Sequence, residues 1–362
     1  MQVKAAVTLG YQQPFVIKDV EVAPPGKDEI LVKIVATGVC HTDAVMRDNP
    51  GVVPMPAILG HEGAGIVASV GEAVSGIRVG DHVVLSYAAC HHCDNCLSNH
   101  PSACEDFNTL NFGGRREDGT TPYRLGDQDL SLFFGQSSFS QYVVTRASNA
   151  VVVDPEVDLT LLGPLGCGIQ TGSGTVLNRL KPVVGESLVV FGCGAVGLSA
   201  IMAAKLTGCS QIIAVDIHAS RLALAGELGA THQINGKEQD AVAVIKQITG
   251  KGAHYAVETT GVSAIVLQAV HAVRPLGTVA IVGFTGDITL NVQNDLMAEG
   301  KSLVGVIEGD AVPALFIPLL VQLYKQGKFP IDKLIARYPL ADINQAFADS
   351  ASGKVIKPVV VM

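Results

Sequence analysis

From residue 187 onward the chain alternates short β-branched, apolar runs with longer stretches whose apolar positions recur at helical spacing. Residues 187–191, 211–215, 255–258 and 278–282 read as strands, and 194–207, 220–228, 239–249 and 263–273 as helices. Strands alternating with helices of about ten residues mark βαβ units, hence a parallel sheet covered on both faces. The fold class is therefore α/β, with a doubly wound domain in this half. Residues 1 to about 150 differ: Val- and Ile-rich runs at 29–36, 65–70 and 82–85 lie between Pro and Gly clusters, which predicts a mostly-β, barrel-like part. After residue 308, a helical run at 313–326 and a strand-like 359–361 are too short for a domain and are expected to pack back on the N-terminal part.

A length of 362 residues fits two domains of ordinary size, and 48% hydrophobic against 16% charged residues excludes a disordered chain. Thirty-three acidic residues against 25 basic ones give a net charge of −8, which lacks the basic field that nucleic acid or an anionic membrane would need. The first nine residues carry no export pattern, so the expected location is cytoplasmic. The uncharged run 187–204 approaches membrane-spanning length, but Gly192, Gly194 and Gly197 interrupt it, and it reads as strand, turn and helix. Eight cysteines in such a chain point to metal ligands or catalytic groups rather than a disulfide framework.

Gly192-Cys193-Gly194-Ala195-Val196-Gly197 fits G-x-G-x-x-G between an expected strand and an expected helix. There the glycines allow a tight turn and a close backbone approach, and the helix N-terminus offers N–H groups to a pyrophosphate. Asp216, 19 residues past Gly197 at the end of the next strand, would accept hydrogen bonds from the adenosine ribose and repel a 2′-phosphate, so NAD is favoured over NADP. The bland alternative is a packing turn with Asp216 as a helix cap. Arg221 is a candidate for the same ribose or phosphate, with a solvated helix face as its alternative.

Cys90, Cys93, Cys96 and Cys104 supply four thiols in one short loop, a closed set suited to structural zinc, with an iron–sulfur cluster as the rival centre. His91 and His92 are then expected to face solvent. Cys40, His61 and Cys167 lie in Gly- or Pro-punctuated loops and would make an open, three-ligand zinc site, although each alone also reads as a buried free thiol or a core histidine.

These segments together resemble the zinc-dependent alcohol dehydrogenases of the medium-chain dehydrogenase/reductase family. The resemblance runs from Val20 to the C-terminus and rests on Gly38-Val39-Cys40-His41-Thr42-Asp43, Gly60-His61-Glu62-Gly63-Ala64-Gly65, the cysteine lobe, residues 163–172 and the glycine turn, in family order. It implies a GroES-like catalytic domain of residues 1–168 and 308–362, with the structural zinc lobe at 90–104, joined to a Rossmann NAD-binding domain of 169–307. It also implies two zinc ions per chain, the catalytic one held by Cys40, His61 and Cys167. Glu62 would stand beside that metal as an outer or transient ligand, and Asp43 would orient His61. His41 and Lys357 would contact the pyrophosphate, and Thr171, Val282 and Phe284 would flank the nicotinamide. For Lys357 a surface position is the alternative.

The implied reaction is oxidation of an alcohol with hydride transfer to NAD, Thr42 taking the proton; from the residues alone Thr42 or Asp43 could instead cap a helix. Many members carry a histidine three residues past the relay hydroxyl, but here that residue is Val45. This departure turns the resemblance toward the aryl- and allylic-alcohol branch, with Phe133 and Phe134 on the substrate channel wall or, alternatively, in the core. The competing branch is glutathione-dependent formaldehyde dehydrogenase, in which Arg115 or Arg116 would attract a glutathione carboxylate. A non-enzymatic NAD- or zinc-binding protein is the reading from another class. The expected assembly is a homodimer or homotetramer through the sheet edge near 303–307, and the expected partner a small alcohol or aldehyde.

Overall fold

The computed structural model describes all of residues 1–362 and divides into two compact units. The first comprises residues 1–167, 312–325 and 331–362, and the second 168–311 and 326–330. The second boundary falls at 312 rather than 308 because the turn Glu308–Asp310 is tied to the helix Gly168–Gly174 and the turns after it, through Gln170 Nε2 to Glu308 (3.0 Å) and Asn178 Nδ2 to Gly309 O (3.0 Å).

The first unit is built on two sheets. One has five strands around Gln2–Thr8 and Val16–Val22, and the other has seven, with Glu29–Gly38 at its centre. Glu29–Gly38 pairs antiparallel with Gly63–Val70 and with Tyr142–Arg146. The C-terminal strand Lys357–Val361 also joins it, Val359 opposite Gly38, so the chain end does pack on the N-terminal part. The core between these strands gathers Phe15, Phe139 and Phe347 with Val7, Val20, Ile58 and Leu59.

The second unit holds a parallel sheet of six strands: Ser187–Phe191, Gln211–Asp216, His232–Asn235, Ala253–Glu258, Val273–Ile281 and Ser302–Gly305. Numbered in that order within the unit they lie 3-2-1-4-5-6, the doubly wound arrangement that reverses direction beside the first strand. The third and sixth strands escape a hydropathy reading because they are four residues long and sit at the sheet edges, where full burial is not required. Past the strand ends, the N–H groups of Gly192, Thr259, Val282 and Val306 donate to Val215, Phe191, Glu258 and Ile281. These bonds align the carboxyl ends as one edge, where open α/β sheets take their ligands. No helix is long and apolar enough to cross a membrane.

Candidate active site

Cys40 precedes the helix His41–Asp48 and caps it. Its N–H donates to Asp43 Oδ2 at 3.0 Å, and the Asp43 N–H returns a bond to Cys40 O at 3.2 Å. Thr42 therefore does not cap this helix. The same box turns the other Asp43 oxygen inward, where it accepts from Gly60 N (3.0 Å) and His61 Nδ1 (2.9 Å). Both Asp43 and His61 are fully buried. Cys167 ends the turn Gly163–Gly166, which is held by Ser86 Oγ donating to Gly166 O at 2.7 Å.

Ligand atoms of Cys40, His61, Glu62 and Cys167 lie within 4.8 Å of one another. These residues fit zinc, because His61 Nε2 is buried with no hydrogen-bond partner while Nδ1 is committed to Asp43. A metal-bound imidazole characteristically has its second nitrogen held in this way. The electrostatics agree. The Cys167 sulfur next to it holds the Cys40 thiol well below its ordinary pKa, against the opposing effect of burial. Burial pulls the His61 imidazole down, and the Asp43 carboxylate more than restores it, to well above the usual value.

Lys357 lies in the same buried cluster. Its ammonium donates to Glu62 Oε1 at 2.8 Å and to Val39 O at 3.1 Å, with only 4% of the residue exposed. This corrects the surface alternative for Lys357: the strand pairing of the chain end carries it inside, where a buried carboxylate needs a counter-charge. Burial raises the Glu62 carboxyl while Lys357 pulls it back. Burial would lower Lys357 on its own, but Glu62 and Cys40 hold it above its ordinary value. Thr42 Oγ1 is 3.6 Å from Cys40 Sγ, so its hydroxyl borders the ligand set, and His41 is exposed.

The lobe cysteines Cys90, Cys93, Cys96 and Cys104 also converge within 4.8 Å. The sulfurs of Cys90 and Cys96 are 3.9 Å apart, close to the ~3.8 Å edge of a tetrahedron with Zn–S bonds of about 2.3 Å. Backbone N–H groups of Glu105 and Cys96 bring Cys93 down to about 6, whereas burial, reinforced by Cys93, pushes Cys96 up to about 12. Four thiolates cannot coexist here without a cation to hold them, and a dication is what this donor set fits. His91 and His92 are exposed, though His92 with Asp106 comes within 4.8 Å of Cys90.

In the second unit, the helix Ala195–Leu206 starts at Gly194, directly after the turn. A Cβ on Gly197 would sit 1.8 Å from Gly192 O, so only glycine lets the helix approach its own turn this closely. A Cβ on Gly194 would meet nothing, which leaves room above the helix N-terminus for a phosphate. Asp216 ties the turn together: Oδ2 accepts from Cys193 N at 2.6 Å, and Oδ1 from Ile217 N and His218 N at 2.7 and 2.9 Å. Its role is thus more than a helix cap. Arg221 Nε is buried and unpartnered, and its charge is felt at Cys193. These residues fit the phosphates and adenosine ribose of a dinucleotide.

Residues 26–155 match the alcohol dehydrogenase GroES-like domain, and residues 195–325 match the zinc-binding dehydrogenase domain. The chain belongs to the zinc-dependent alcohol dehydrogenases. It is 44% identical to geraniol dehydrogenase of Castellaniella defragrans over 363 aligned positions, covering 99% of this chain and 97% of that one. It is 37% identical to a probable S-(hydroxymethyl)glutathione dehydrogenase of Schizosaccharomyces pombe, with 99% and 97% covered. Among solved structures, benzyl alcohol dehydrogenase of Acinetobacter calcoaceticus superposes with a TM-score of 0.96 at 47% identity, covering 100% of this chain and 99% of that one. As a zinc-type alcohol dehydrogenase the protein is an enzyme, and its family implies zinc and NAD as cofactors.

In this alcohol dehydrogenase Phe133 and Phe134 are core residues. They are 0% and 3% exposed and pack on the His61 ring, Phe134 stacked at 4.6 Å and Phe133 edge-on at 5.4 Å. Phe107 and Phe112 extend the cluster. Of the two readings, channel wall or core, the rings take the core one, as an apolar jacket around the His61 imidazole, because they bury more surface against it and one another. In the other unit Thr171 is buried and Phe284 is exposed. Arg115 is exposed and pairs with Asp129 at 2.7 Å, while half-buried Arg116 holds both Glu29 oxygens at 2.8 and 2.7 Å. Sequence reasoning missed Gln136, whose amide bonds His61 O and Ser86 O and accepts from Gly63 N. A lone glutamine in a Ser-rich loop carries no signal of such a role.

Proposed function

We propose that this enzyme oxidises primary aromatic or allylic alcohols, of the benzyl, cinnamyl or geranyl type, reversibly to aldehydes with NAD as hydride acceptor. The observation that carries this reading is the pair of phenylalanine rings on the His61 imidazole, which makes that side of the ligand set apolar. Its agreement with relatives named for geraniol and benzyl alcohol supports the same choice. When bound, zinc supplies Lewis acidity and NAD a hydride acceptor.

The chain's own residues do the rest. Asp43 holds His61 in one tautomer, Lys357 neutralises Glu62, and Thr42 Oγ1 accepts the alcohol proton and passes its own onward. Val45 has no atom that could carry that proton further, so the relay from Thr42 leads away from this helix position. Asp216 and Arg221 take the adenosine ribose, the 192–197 turn takes the pyrophosphate, and Thr171, Val282 and Phe284 flank the nicotinamide. The sixth strand, Ser302–Gly305, pairs on one side only, and its free edge is the proposed contact of a homodimer or homotetramer.

The test is the initial rate of NADH formation with benzyl alcohol and geraniol, set against ethanol and against formaldehyde plus glutathione. Rates dominated by the first two are expected. Turnover confined to the glutathione adduct would overturn the substrate reading. Metal analysis gives a second test, with two zinc ions per chain expected and one after Cys93→Ser. Because burial pushes the Cys96 thiol up to about 12, zinc uptake by the lobe must release protons, and affinity should fall as pH drops. A titration in a weakly buffered solution reads that release directly.

A further inference from the structure

Glu308 is a carboxylate that the reading above does not use. It follows the sixth strand on the carboxyl edge of the sheet, only 7% exposed, and accepts from Gln170 Nε2 at 3.0 Å and Thr171 Oγ1 at 3.5 Å. Its backbone is strained: Glu308, Gly309 and Asp310 have φ of 50°, 67° and 47°, a left-handed run that side chains other than glycine resist. The strain is held by the bonds from Gln170 and Asn178 and by Arg179, which pairs with Asp310 at 3.4 Å. A Cβ on Gly309 would come within 2.3 Å of Gln170 O, so the loop is pressed onto this helix.

The position of Glu308 along the sheet gives it a direction. Asp216, the proposed ribose partner, ends the second strand, on one side of the glycine turn that follows the first. A dinucleotide whose pyrophosphate lies at that turn must send its other half toward the fourth, fifth and sixth strands, which are spaced about 4.8 Å apart. Val306 N–H bonds to Ile281 O, so the loop bearing Glu308 leaves the sheet beside the loop of Val282 and Phe284. The other buried carboxylate on this edge, Glu258, is turned into its own loop, where Thr260 N, Thr260 Oγ1 and Gly261 N surround it.

We propose that Glu308 sets the preference of the nucleotide site for the oxidised cofactor. The nicotinamide of NAD⁺ carries a positive charge that NADH lacks, so a buried carboxylate on the nicotinamide side stabilises the oxidised form selectively and favours alcohol oxidation. The proposal rests on the NAD assignment. It is tested by measuring the dissociation constants of NAD⁺ by calorimetry and of NADH by fluorescence.

In Glu308→Gln the shape and both hydrogen bonds can persist while the charge is lost. NAD⁺ binding should weaken by about tenfold, the scale of a charge pair about 12 Å apart at an effective dielectric constant of about 20, with NADH binding nearly unchanged. Glu308→Asp should keep the parental ratio. Glu308→Ala serves as a second neutral variant if the glutamine variant does not fold. Equal weakening of both forms would make Glu308 a purely structural clamp and overturn the proposal. Failure of the parent to bind either form would instead overturn the NAD assignment, and the proposal with it.

Discussion

Thr42→Val should lower turnover by about 10²–10⁴-fold, the usual contribution of a positioned proton acceptor. Valine is nearly isosteric, and Thr42 is only partly buried at the second position of its helix, so the fold should tolerate the change. The hydroxyl takes no part in the backbone and carboxylate bonds with which Cys40 and Asp43 close the cap of that helix, and its contact there is the 3.6 Å one with Cys40 Sγ. Zinc content and NAD affinity are therefore expected to match the parent. Steady-state kinetics together with metal analysis checks both halves of this statement. Retained turnover would remove Thr42 from the relay.

Asp43→Ala should be the most damaging single change outside the ligands themselves. One side chain accepts from Cys40 N, Gly60 N and His61 Nδ1, all at about 3 Å, and it has no exposed surface. Removing it strands three donors in a dry interior, at a cost of about 1–3 kcal/mol for each buried group left unpaired. It also frees the His61 ring to turn, and loss of such an orienting partner typically lowers metal affinity by about 10–100-fold. Denaturant unfolding and the rate of zinc loss to a chelator should therefore both shift. Asp43→Asn separates the two effects, since its oxygen can still accept from His61 while its NH₂ must oppose one of the backbone donors. It should keep more metal than the alanine variant while recovering only part of the stability. Unchanged zinc loss in both variants would show that His61 is oriented by its phenylalanine jacket alone.

How much of this could be read from residues follows from the distance over which each feature is specified. The lobe and the glycine turn were legible because all their ligands and donors lie within fifteen residues, where backbone sterics and spacing leave few arrangements. The alternation of strands and helices was legible because burial on both faces enforces apolar runs; the two short edge strands escape that demand and left no signal. For the open site, residue types suggested a ligand set but could not show that it converges, since Cys40, His61 and Cys167 are brought together by strands and turns far apart in the chain.

The sequence by itself determined the α/β class, the two-part organisation, the closed cysteine set and the nucleotide turn, because local periodicity and spacing encode them. Only the tertiary structure decided that Phe133 and Phe134 clothe His61 and that Lys357, 295 positions from Glu62, neutralises it. It alone set Glu308 against Gln170 and Thr171. Each of these is a pairing whose partners are chosen by sheet register and core packing, and a buried charge or ring can find its counterpart only after the chain has closed around it.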